Sequence, residues 1–209
     1  MPARNIFQSH FRLPPKVCIL APGPNGRDFH SSIPPDYEII AVSKAILIEE
    51  VPRKSVWFMN HADQPWFAEA NARFQGVRLF SIDALGQAPE SVGHLDDCYY
   101  YEPGPGLLTP ETVDQVGGSI RYGTTVSGAA LQFAYNFGAT DILLCGVDLS
   151  GDAYWDGSSN VHPFHGETWP AARTINHLIR WLHEAHGVRV ASLSPTRLEA
   201  PRHPAGSPA

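Results

Sequence analysis

The sequence contains no apolar run approaching the roughly 20 residues that a membrane-spanning helix needs. Its opening stretch, "MPARNIFQSHFRLPP", lacks the apolar centre of a secretory signal. Positive charge is in short supply, with 15 Lys and Arg against 21 Asp and Glu and a formal net charge of −6. That balance offers no general basic field for a nucleic-acid backbone or an anionic membrane. Cysteine is scarce: Cys18, Cys98 and Cys145 are odd in number and far apart, and two of them lie inside the apolar runs "KVCIL" and "ILLCGV". They read as buried thiols in a reducing compartment. HExxH and paired Cys-x-x-Cys are missing, and no strand end carries D-x-D, the pattern by which many sugar-nucleotide transferases hold a divalent ion. A soluble, cytoplasmic protein without a structural metal is expected.

What the chain does have is a series of short runs rich in Val and Ile: "KVCILAPG", "YEIIAVS", "SVWFMN", "VRLFSI", "DILLCGVDL" and "VRVASLSP". They are continuous and do not alternate, which predicts strands buried on both faces. Between the last two, Ile175, Leu178, Ile179 and Leu182 recur at helical spacing, with Pro170 suited to a first turn and Gly187 to a stop. "TTVSGAALQFAYNFGATDILLCGVD" reads as a helix, a Gly138 cap and a strand.

Strands alternating with helices predict an α/β fold, a Rossmann-like, mostly parallel sheet with helices on both faces. At 209 residues and 43% hydrophobic content, one domain with a sizeable core is expected. Its boundaries are drawn at 13–195, after an N-terminal extension, 1–12, and before a flexible tail, 196–209, rich in Pro, Ala and Gly.

In such sheets ligands sit beyond the carboxyl ends of the strands. After the first run comes "APGPNGRDF", where Gly23 and Gly26 flank Pro24 and Asn25; a turn of this kind can bring backbone N–H groups to a phosphate. It is neither a G-x-G-x-x-G nor a Walker loop, and an ordinary tight turn is the competing reading. Further strand ends carry Ser43 and Lys44, Asn60 and His61, and Asp148. "TTVSG" sets Thr125, Ser127 and Gly128 at a helix start, where free N–H groups favour an anion and where simple N-capping is the bland alternative.

The loop "VHPFHGETW" holds His162 and His165 between a strand and a helix. An imidazole there can be a general base, a metal ligand or a solvated turn residue, and no third ligand stands at metal-binding spacing. His177, His183 and His186 lie off the apolar stripe of the last helix and read as solvated, as do Asp96 and Asp97 in their turn.

Taken in order, four segments resemble the bacterial sialyltransferases of glycosyltransferase family forty-two and their relatives. "ILAPGPNGRDF" is similar to that family's first strand and G-P-S-L loop, and "VWFMNHADQPWF" to its strand ending in Asn. "TTVSGAALQFAYNFGATDILLCGVDL" is similar to its T-S-G helix and G-[IV]-D strand, and "HPFHGETWPAARTINHLIRWLHEAHGVRVASLSP" to its His loop, final helix and final strand. The resemblance spans most of Lys16 to Pro195 and implies a GT-A-like variant of the α/β fold.

It also implies a cytidine monophosphate sugar as donor, no metal and no other cofactor. Gly23, Pro24, Asn25, Asn60, Ser127 and Gly128 become nucleotide-site candidates, with Ser43 standing where the family has Asn, and Asp148 beside them. His165 becomes the base, with His162 orienting the loop or lying near the acceptor. The family steadies the leaving phosphate with two Tyr hydroxyls; here Ser150 takes the first position and Tyr154 matches the second with a shifted register.

The reading that follows is a metal-independent glycosyltransferase moving a sugar, sialic acid or a related one, from a nucleotide donor to a hydroxyl of a glycan or small-molecule acceptor. Two others stay open. A pyrophosphokinase-like transferase would need Mg²⁺ and convergent carboxylates, for which Asp148, Asp152 and Asp156 are close enough in sequence. A nucleotide-binding module without catalysis is the other. Nucleic acid is not an expected partner, and homo-oligomerisation is left open.

Overall fold

Each of the six apolar runs forms a strand, and residues on successive positions turn to opposite, covered faces. The computed structural model describes residues 2–48, 55–123, 125–149, 154–158 and 170–204. In chain order the strands are β1 (Arg4–Asn5), β2 (Lys16–Leu20), β3 (Glu38–Val42), β4 (Val56–Met59), β5 (Val77–Ser81), β6 (Cys98–Tyr101), β7 (Pro103–Leu107), β8 (Ile120–Tyr122), β9 (Asp141–Cys145) and β10 (Arg189–Ser192). The helices are α1 (Gly26–Phe29), α2 (Phe67–Arg73), α3 (Ile82–Gln87), α4 (Val126–Asn136) and α5 (Pro170–His186).

Among the described residues, eight strands make one sheet in the order β1-β6-β5-β4-β3-β2-β9-β10. All its pairings are parallel. β7 and β8 pair apart from it.

On one face Val17, Ile19, Ile40, Val42, Val56, Phe58, Leu79, Ile142 and Leu144 meet α4 and α5. The expected stripe of Ile175, Leu178, Ile179 and Leu182 is what α5 buries. The rings of Phe58, Tyr101, Phe133 and Phe137 pack in succession through this layer, Phe58 stacked on Tyr101 and the other contacts tilted. On the other face Cys18, Leu20, Leu143 and Cys145 pack on Phe29, Tyr37, Ala45 and Ile48, while Trp57, Met59 and Phe80 pack on α2 and α3. The single α/β domain with helices on both faces is thus present. No helix among the described residues is long and apolar enough to cross a membrane.

All three cysteines are buried and unpaired. Burial raises the thiol pKa of each, to about 11 for Cys98 and about 12 for Cys145. They are packing groups held as thiols.

Two boundaries differ from expectation. Residues 1–12 are not an appendage: β1 pairs with β6, and Ile6 is fully buried in the core. The tail expected from 196 begins packed, with Thr196 Oγ1 donating to Val147 O at 2.6 Å, Leu198 buried, Arg180 paired with Glu199, and Arg202 bridging Ser192. One or two apolar residues among polar neighbours and Pro carry too little periodicity to announce such contacts.

Because Ile6 is enclosed on all sides, Ile6→Ala should destabilise the protein by about 2–5 kcal/mol. A urea titration should show a lower midpoint at unchanged slope. A change near zero would return residues 1–12 to the status of an extension.

Candidate active site

Parallel pairing puts every carboxyl strand end of the sheet on one edge. From β2 the chain moves outward through β3, β4, β5 and β6, and β9 then returns to the other side of β2. The strand order therefore reverses between β2 and β9, and in open α/β sheets the carboxyl edge beside such a reversal is where a ligand crevice is expected.

Those two loops are joined rather than simply adjacent. Gly23 N–H donates to Gly146 O at 3.0 Å, and Asn25 N–H donates to the Asp148 carboxylate at 2.8 Å. A Cβ on Gly23 would run into Gly146 O and the Asp148 carboxylate, and one on Gly146 would run into Ala21 O. Gly146 also holds φ +70°, a left-handed conformation open to glycine at no steric cost.

Asp148, only 2% exposed, ties in a third loop, because Ser194 Oγ donates to it at 3.3 Å while accepting from Gly146 N–H at 2.8 Å. Burial pushes the Asp148 carboxyl upward, against the bonds from Asn25 and Ser194 that favour the ionised form. This carboxylate faces the interior and positions the loops.

The mechanism expected for the glycine turn changes accordingly. Its N–H groups at Gly23 and Asn25 are engaged as described, that of Gly26 bonds Gly23 O at 2.8 Å, and Pro24 has none. Gly128 N–H is likewise capped by Thr125 Oγ1 at 3.1 Å. These glycines serve contact between protein loops, and the backbone donors of Gly23, Asn25 and Gly128 are taken within the protein. Ser127, half-buried, stands in the first turn of α4. That helix leads through a short connection into β9, so it opens on the same edge as the crevice.

The remaining strand ends present side chains. Asn60 accepts from Tyr101 Oη at 2.5 Å, which engages its carboxamide oxygen and leaves the NH₂ as the side chain's donor group. Burial raises the fully enclosed Tyr101 hydroxyl, keeping it a donor. Sequence reasoning did not find Tyr101; its signal was a tyrosine closing the apolar run "CYYY". Ser43 adopts φ +49° and Leu149 φ +51°, the two non-glycine residues with positive φ among those described, and both border the crevice.

The turn 154–158 lies across these ends. Trp155 N–H donates to Pro22 O at 3.1 Å, and Lys44 pairs with Asp156 and donates to Ser158 Oγ at 2.9 Å. The ammonium also lies 5.8 Å from the centre of the Tyr154 ring. Desolvation works to raise Asp156, but bonds from Lys44 and Ser158 prevail and hold it at about 2. Desolvation followed by the Asp156 charge raises Tyr154, so its hydroxyl remains a donor.

The structure thus gathers Gly23, Pro24, Asn25, Ser43, Asn60, Ser127, Gly128 and Tyr154 along one edge, with Asp148 beneath. His162, His165, Ser150 and Asp152 lie outside the described residues. Of the three aspartates considered for Mg²⁺, Asp148 is enclosed and Asp156 is bound to Lys44. Among the described residues no three His, Cys, Asp or Glu side chains form a metal-binding group.

No family model and no curated protein matches the sequence. Solved structures do resemble the fold. The sialyltransferase CstII from Campylobacter jejuni, in complex with the substrate analogue CMP-3FNeuAc, is 14% identical at a TM-score of 0.52, covering 86% of this chain and 81% of that one. The same enzyme with cytidine-5'-monophosphate gives 14% and 0.52 over 95% and 88%. A complex of the sialyltransferase CST-II with a trisaccharide acceptor and CMP gives 14% and 0.53 over 85% and 80%. At such identity the likeness is one of fold, and the architecture is sialyltransferase-like.

A carboxyl whose folded pKa is raised contributes its stability below the unfolded value, and loses it as pH rises through the folded pKa. Asp148→Asn keeps the shape and removes that titration. Relative to the parent, the variant should gain stability as pH increases from about 4 to 7, measured by urea midpoints at each pH. A gap that is flat or narrows would contradict the burial-dominated account.

Proposed function

We propose that this chain is a metal-independent glycosyltransferase that moves a sugar from a nucleotide donor to an acceptor hydroxyl. The observation that carries the reading is the fold likeness, over 85% of this chain, to a sialyltransferase solved with CMP and an acceptor. The β2–β9 reversal, at whose edge the described residues named by the sequence resemblance lie, supports it. The finer form is a cytidine monophosphate donor carrying sialic acid or a related sugar, an acceptor that is a glycan or small molecule, and a cytoplasmic setting.

In this scheme the donor lies across the turn 22–26 and the start of α4, with the Asn60 amide donating to it. The His165 imidazole takes the proton of the acceptor hydroxyl as the bond between the sugar and the phosphate oxygen breaks. The charge gathering on the leaving phosphate is met by hydrogen bonds from the first turn of α4 at Ser127 and from the Tyr154 hydroxyl, in place of a metal. His162 orients the loop.

Incubation with CMP-linked and UDP-linked sugars should release nucleotide, by transfer or slow donor hydrolysis. His165→Ala should lower that rate roughly 10²–10⁴-fold while leaving nucleotide affinity nearly intact. Binding with neither transfer nor hydrolysis in the parent would instead mark a non-catalytic nucleotide module.

Activity should also persist in EDTA. Complete loss in chelator, restored by Mg²⁺, would favour the pyrophosphokinase-like alternative.

A further inference from the structure

The crevice poses a problem of charge. A nucleotide brings at least one phosphate, yet the backbone donors of Gly23, Asn25 and Gly128 bond within the protein. A cation stands one strand away. Lys44 follows Ser43 at the carboxyl end of β3, and the left-handed Ser43 turns the chain there. Its side chain is only 14% exposed, so its charge is poorly screened by solvent.

Lys44 is held by two acceptors of one turn, Asp156 and Ser158, and the same turn reaches the loop after β2 through Trp155 N–H to Pro22 O. The ammonium therefore sits between the β3 end and the β2 loop, beside the Tyr154 ring. We infer that Lys44 supplies the positive charge for the phosphate of a bound nucleotide, and that Asp156 competes with that phosphate for the same ammonium.

The chemistry suits the role. An ammonium is a compact charge with three donors that can be shared or redirected, and phosphate accepts them at least as well as carboxylate. Asp156 stays ionised at working pH, held at about 2, so the competition is always present. Ser158 supports Asp156 from the other side, donating to it through Oγ at 2.7 Å and through N–H at 3.1 Å, so the carboxylate retains partners when Lys44 turns away. Exchange of one anion for another leaves neither charge stranded, which is the expensive outcome for a partly buried pair.

The inference rests on the nucleotide-donor reading, and the test separates the two. CMP, UMP, AMP and GMP, each beside its unphosphorylated nucleoside, are titrated calorimetrically into the parent, Lys44→Ala, Asp156→Asn and the double variant. Nucleotide Kd should rise about tenfold to a hundredfold in Lys44→Ala, as for a lost charge-assisted bond. It should fall roughly threefold or more in Asp156→Asn, where the competitor is gone, and that gain should vanish in the double variant. Nucleoside affinity should not move.

Weaker binding in both single variants, or equal shifts for nucleotide and nucleoside, would make the pair a structural clamp and overturn the inference. Should Lys44→Ala fail to fold by circular dichroism, Lys44→Gln replaces it under the same criteria. If the parent binds none of the four nucleotides, the nucleotide reading fails, and inorganic pyrophosphate decides Lys44. Opposite shifts in the two variants then retain the anion site, while parallel shifts or no binding end it.

Discussion

The buried carboxylate of Asp148 is the constraint on which the loop edge of the sheet depends. It receives Asn25 N–H from the loop after β2 and Ser194 Oγ from the loop after β10, and it leads out of β9 itself. Three loops that would otherwise diverge at the point where the strand order reverses are thereby tied to one group. An enclosed carboxylate is costly unless its lone pairs are met, so the loops have little freedom to separate. Gly23 and Gly146 complete the joint, since any side chain at either would occupy space filled by the opposite backbone.

This joint decides which groups face outward. With the turn N–H groups of Gly23, Asn25 and Gly26 bonded inside, the polar character of the crevice comes from side chains at neighbouring strand ends. Asn60 is oriented by Tyr101, Lys44 by Asp156 and Ser158, and Ser127 by its place in the first turn of α4. Side-chain recognition can be retuned one residue at a time over a rigid frame, whereas a backbone cradle cannot. Ser43, at the end of β3, lies outside this joint, whereas Asn25 is part of it through its bond to Asp148.

How far the fold was legible depends on whether each signal was local. Continuous apolar runs such as "KVCIL" and "DILLC" announce strands because both faces of the sheet are covered. β6 was less visible: "CYYY" follows two exposed aspartates, and only pairing with β5 and β1 shows it to lie inside the sheet. β1 is two residues long, and β7 reads "PGPGL", a composition that argues against a strand. Each of these exists because another strand pairs with it. The N-terminal and C-terminal segments pack for the same reason, the burial of Ile6 and Leu198 depending on contacts far along the chain.

Local chemistry alone determined the six strands formed by continuous apolar runs, the two long helices with their stops at Gly138 and Gly187, the buried thiols and the set of polar residues at strand ends, because periodicity and residue type act within a few positions. The tertiary structure decided what those polar residues do. Whether an N–H in "PGPNG" is free, whether Asp148 faces a ligand or the core, and which group holds Lys44 are questions about partners more than a hundred residues away, from Asn25 to Asp148 and from Lys44 to Asp156. Such pairings arise only when a parallel sheet brings all its carboxyl ends to one edge, and no window of sequence contains both members.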